Sequence, residues 1–150
     1  MASKDNAASK QQELENARSL KRRYEAQLTS YRNRYNSNTE KLKRIRAAKA
    51  KVKDIKESLE KSAKAQKKHA EDPDTYYEWS GDKQQDVYDM YFGVTPTEYK
   101  NYIAAVDNLL DYIVDLETKY ENDNLDMLGL IGEVGGWINS LAGKIEKLLN

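Results

Sequence analysis

Few residues in this chain could carry out chemistry. His69 is the single histidine, it lies beside Lys67 and Lys68, and the chain contains no cysteine. With no HExxH context and no thiolate near it, His69 reads as a solvated surface group. Asp82, Asp86 and Asp89 fall on one helical face at spacings of four and three. They lack the alternating ligand loop of a calcium site and read as a solvated acidic face. The glycines match neither nucleotide-binding fingerprint. The chain is therefore expected to be non-enzymatic, with no catalytic residue, no metal and no cofactor.

What remains is contact chemistry. Eleven tyrosines are present, and several follow a helical stripe. Tyr24, Tyr31, Tyr35, Tyr99 and Tyr102, together with Val134, Trp137, Ile138 and Leu141, are the candidate partner-binding seam. Tyrosine suits a helix interface because its ring packs while its hydroxyl stays wet. Gly132, Gly136 and Gly143 are candidate sites of close backbone approach. A third feature is Trp79-Ser80-Gly81, where glycine can supply a reversing backbone conformation and the indole can cap a seam.

These residues need long helices to position them. A stripe at spacings of three and four runs from Leu14 through Leu20, Leu42, Ala48, Val52, Ile55 and Ala63, without glycine or proline from Lys10 to Ala70. Ser9 and Gln12 read as a capping box, which predicts a disordered residue 1–9 stretch and a first arm over 10–70. Asn33 to Thr39 is a patch where that arm could bend. Pro73, Ser80 and Gly81 predict a turn over 71–82. A second arm follows over 83–122, interrupted at Gly93 and restarted by Thr95 as N-cap, Pro96 at N1 and Glu98 at N3. Glu121–Asn124 marks a further turn or kink before a C-terminal amphipathic helix over 125–149. Its five glycines each cost about 1 kcal/mol relative to alanine, so this tail is expected to order only against other helices. The whole reads as one domain over 10–150, an all-α, elongated antiparallel helical hairpin.

Composition agrees. With 39% apolar and 33% charged residues and a mean hydropathy of −0.95, apolar area is buried as a stripe and not as a thick core. Residues 1–68 carry 20 Lys and Arg against 8 Asp and Glu, a net of +12, and residues 69–150 carry 5 against 17, a net of −12. Two arms side by side would neutralise each other. A basic helix can track phosphates, but Val52, Ile55 and Leu59 keep an apolar seam through the basic run, so a helical partner is favoured over nucleic acid. The tail's polar face is mixed in sign, unlike a membrane-surface helix. No apolar run reaches 18 residues, so no transmembrane segment is expected, and Met1–Gln12 has no leader pattern. A coiled-coil adaptor or homo-oligomer is the other reading that the stripe allows.

Trp79-Ser80-Gly81 between two long helical runs resembles the W-x-G turn of the WXG superfamily of type VII secretion. The longer basic first arm, the helix starting soon after the turn and the final amphipathic helix are most similar to the YwqH-like small accessory proteins of LXG toxins in Gram-positive bacteria. The resemblance covers residues 10–149. It implies a targeting protein that binds the helical N-terminal domain of an LXG-type toxin. A second small helical accessory protein and the secretion ATPase are the further partners it implies. It also implies a cytoplasmic location, with co-export alongside the toxin. Export signals of this system read Y-x-x-x-D/E, whereas Tyr112 is followed by Leu116 and Tyr120 by Asn124 at that spacing. The signal would then come from a partner.

Overall fold

The computed structural model describes residues 2–72 and 82–150, with side chains from residue 6 onward. Among these, every residue but Asp72 and Asn150 is helical, so the fold is all-α and hairpin-like. Helix α1 spans Ala2–Glu71 and α2 spans Asp82–Asp89. A π-helical turn, Met90–Val94, joins α2 to α3, Thr95–Leu149. Trp79, Ser80 and Gly81 lie outside the described residues.

Three expected boundaries are corrected. Helix α1 begins at Ala2 and not near Lys10, so Ser9 sits inside the helix and is not its cap. The first residues include alanines and no proline or glycine, which lets the helix extend. Thr95 has φ −63° and ψ −46°, a helical conformation, so it is not an N-cap either. The chain passes Pro96 by widening the helix. In the π turn the Thr95 N–H donates to the Met90 carbonyl, five residues back. In the same register Pro96 would have to serve the Tyr91 carbonyl, but proline has no N–H. Gln66 of α1 supplies the donor instead, its Nε2 lying 2.7 Å from the Tyr91 oxygen. The Thr97 hydroxyl donates to the Gly93 carbonyl at 2.7 Å. Finally, α3 passes through Glu121–Asn124 as unbroken helix, so no separate C-terminal helix starts at residue 125.

The chain divides into two compact units. Unit 1 joins residues 1–42 to 119–150, and unit 2 joins residues 43–118. In each, an α1 segment runs antiparallel to the returning chain. Unit 1 shows this in Lys144–Glu13, Tyr24–Trp137 and Arg34–Asp123. Unit 2 shows it in Arg46–Glu117, Lys56–Asp107 and Gln66–Tyr91.

Inside each unit most of the covered positions follow a heptad. In unit 1, Leu14, Ala17, Lys21, Tyr24, Leu28, Tyr31, Tyr35, Asn38 and Leu42 are buried or half-buried, at alternating steps of three and four. Tyr120, Asn124, Met127, Ile131, Val134, Ile138 and Leu141 answer them on α3. In unit 2 the series is Ile45, Lys49, Val52, Lys56, Leu59, Ala63, Gln66 and Ala70, facing Tyr99, Ile103, Val106, Leu110, Ile113 and Glu117. This is knobs-into-holes spacing, in which the seam returns every seven residues. It corrects the expected stripe at Leu20, Ala48 and Ile55, each one residue before a seam position. They are exposed, and Lys21, Lys49 and Lys56 hold the seam places.

Candidate interaction surfaces

The seam carries polar layers that fix its register. In unit 1, Asn38 is 3% exposed and its amide donates to Asp123. Arg34 grips the same carboxylate, with Nε 2.9 Å from Oδ2 and a second contact through the other guanidinium nitrogen. Asn124, 9% exposed, donates to the Thr39 hydroxyl at 3.3 Å, which in turn donates to the Tyr35 carbonyl at 2.9 Å. The Asn124 Oδ1 is buried with no hydrogen-bond partner. The two polar clusters that read as bends therefore face each other in one layer, and both helices continue through it. A polar residue at one seam position selects register because any slip leaves it buried against apolar neighbours.

Unit 2 fixes its register with charge. Glu117 accepts from Lys49 Nζ at 2.6 Å and from Arg46 Nε at 3.0 Å. Lys56 Nζ lies 2.5 Å from Asp107. The hydrogen bonds from Lys49 and Arg46 hold the Glu117 carboxyl below its ordinary pKa, and those from Arg34 and Asn38 do the same for Asp123. The hydrogen bond to Asp107 raises Lys56 above the usual lysine value.

The seam uses up most of the expected partner-binding residues. Val134 is 1% exposed, and Tyr24, Tyr31, Tyr35, Tyr99, Ile138 and Leu141 are half-buried between helices of their own unit. Trp137 meets Tyr24 with ring centroids 5.1 Å apart, yet stays 42% exposed. Tyr102 is 60% exposed. Of the nine, only these two present substantial open surface.

Two other faces are open. On α3, Leu125, Gly129, Gly132, Gly136, Asn139 and Gly143 recur at steps of four and three, on the side turned away from the unit 1 seam. A Cβ built on Gly129, Gly132, Gly136 or Gly143 meets nothing within 4 Å. These glycines serve no close approach to α1. In unit 2, Tyr102, Leu109 and Tyr112 are 60%, 46% and 60% exposed on α3, and Ile55 is 53% exposed on α1. By sequence Ile55 falls in the stripe, and Leu109 and Tyr112 do not stand apart as a separate surface. Carrying one unbroken three-four alternation from Leu14 would have separated seam from flank.

His69 packs its ring edge-on to Tyr91, with centroids 5.4 Å apart. On α2, Asp89 accepts from Gln85 at 2.8 Å. No helix among the described residues is long and apolar enough to cross a membrane.

In both units, paired helices leave apolar side chains exposed on their flanks. A family model for YwqH-like proteins matches residues 19–143. The chain belongs to the YwqH-like family. No curated protein and no solved structure matches it.

Proposed function

We propose that this protein is a non-catalytic accessory factor that binds the helical N-terminal domain of an LXG-type toxin and targets it to type VII secretion. Membership of the YwqH-like family supports the class of partner. The observation that carries the reading is the uncovered glycine face of α3. Helix-interior glycines cost about 1 kcal/mol each relative to alanine. Here at least four of them face open space, where alanine would fit without a clash. The chain itself gains nothing from them. A partner helix would, because a missing Cβ lets two backbones approach closely. Leu125 and Leu128, 66% and 49% exposed, provide apolar contact at one end of that face. The partner supplies the export signal, since the Y-x-x-x-D/E pattern is absent from the second half of this chain. A further small helical protein and the secretion ATPase would then act on the complex.

The test is co-purification with the LXG-type domain encoded beside this protein's gene. Gly132→Ala should stabilise the free chain by up to about 1 kcal/mol. Gly136→Leu should leave the free chain folded and weaken the complex at least tenfold. If the unaltered chain shows no affinity for that domain, the reading fails. If Gly136→Leu binds as well as the parent, the glycine face is not the contact.

A further inference from the structure

Unit 2 is amphipathic as a pair of helices. One side carries the ion pairs Arg46–Glu117 and Lys56–Asp107. The positions one before each seam residue lie on the other side; on α3 those from Tyr102 to Tyr112 are all apolar or aromatic, and on α1 Ala48 and Ile55 share them with Arg44, Lys51, Ser58 and Ser62. Ala48 and Ile55 line the α1 half, and Tyr102, Ala105, Leu109 and Tyr112 line the α3 half, all exposed. Tyr102 to Tyr112 runs at steps of three, four and three, a second helical seam beside the first.

We propose that this face is covered by the same face of a second copy, forming a four-helix bundle. Charge selects the occupant. Within unit 2, residues 43–71 carry eleven Lys and Arg against four Asp and Glu, a net of +7. Residues 82–118 carry two against eight, a net of −6. A two-fold axis parallel to the helices sets α1 of each copy on α3 of the other. Basic then meets acidic, and every neighbouring helix pair is antiparallel. An axis across the helices would set basic α1 on basic α1. The parallel axis also keeps residues at their own height. Arg44, on the α1 rim, meets Asp115, on the α3 rim, which lies within about one turn of the same height.

The size is adequate. About 29 residues of α1 at ~1.5 Å each give a face ~43 Å long, and two helices ~10 Å apart make it ~20 Å wide. That is roughly 850 Å² per copy, against about 800 Å² for a specific interface. Toxin binding is not required for this association, so each can fail without the other.

The experiment is sedimentation equilibrium of the full chain without partner. The expected mass is twice 17.3 kDa. Leu109→Glu, at an exposed position, should weaken the dimer at least a hundredfold with far-ultraviolet helicity unchanged. Arg44→Glu and Asp115→Arg should each weaken it several-fold, and the two together should restore it. A parent chain that is monomeric at 100 μM overturns the proposal, as does a dimer that Leu109→Glu leaves intact. Failure of the double charge swap to restore the dimer overturns the two-fold arrangement.

Discussion

The two units solve the same pairing problem in opposite ways. Unit 1 leaves Leu20, Leu125 and Leu128 exposed but buries five apolar residues in its seam. Leu14, Ala17, Leu42, Met127 and Val134 are all buried there, around one layer of Asn38, Asp123 and Asn124. Unit 2 puts charge into its seam at Lys49, Lys56 and Glu117 and leaves Ile55, Tyr102, Leu109 and Tyr112 outside it. The charge asymmetry follows the same division. In unit 1, residues 2–42 carry nine Lys and Arg against five Asp and Glu, and residues 119–150 carry three against five. Those nets, +4 and −2, are smaller than the +7 and −6 of unit 2. A unit that closes on its own seam can leave a bare backbone face for a partner. A unit that spends its seam on ion pairs keeps apolar area for another bundle.

This contrast can be broken most sharply in unit 1. Val134→Asp sets an unpaired carboxylate where the side chain is 1% exposed. A loss of about 3–5 kcal/mol is expected in chemical denaturation. The matching change in unit 2, Leu109→Asp at a 46% exposed position, should cost the monomer well under 1 kcal/mol. Equal losses would erase the distinction.

The next effect in size concerns the π turn. Gln66→Leu withdraws the donor to the Tyr91 carbonyl. A cost of about 1–2 kcal/mol is expected, with amide exchange accelerating around residues 90–97 of unit 2 and not in unit 1. Asn124→Leu runs in the opposite direction. It removes a buried carbonyl oxygen that has no partner, while Thr39 keeps its bond to Tyr35. The urea midpoint should rise by the equivalent of about 1 kcal/mol. A fall would show that the asparagine layer stabilises as well as aligns.

The smallest effects are set by pH. Folding lowers the pKa of Asp123 in unit 1 and of Glu117 in unit 2. A lowered folded value means the unfolded chain binds the proton more tightly. The stabilisation is complete above the ordinary carboxylate range near pH 4 and is lost as pH falls through the depressed folded values. Lys56 has the opposite sign: its pKa is raised, so its contribution holds below the usual value of 10.5 and is lost as pH rises through the folded one. Thermal melts of Asp123→Asn and Glu117→Gln should each show a shallower acid slope than the parent. Lys56→Met should flatten the alkaline limb only.

Much of this was legible in the residues. The absence of glycine and proline from Lys10 to Ala70 gave one long helix, and the opposed charges gave its pairing with the returning chain. The breaks were harder to read. Thr95-Pro96-Thr97-Glu98 has every local mark of a helix start, but the donor that rescues the Tyr91 carbonyl comes from Gln66, far away in sequence. Likewise Asn38 and Asp123 each weaken a helix alone, and only their meeting across the seam lets both helices continue. Local propensity cannot register such contacts. The seam phase is hidden for a simpler reason: Leu20 and Ile55 are more apolar than Lys21 and Lys56, yet the seven-residue repeat governs which of them faces inward.

The division of labour between the units is tested most directly by the composition of the complex. If the proposed LXG-type domain binds, light scattering on the complex should give two copies of this chain. Leu109→Glu should reduce them to one while toxin-domain binding persists. Gly136→Leu should do the reverse, preserving the pair and losing the toxin domain. A single substitution that abolishes both associations would contradict the account.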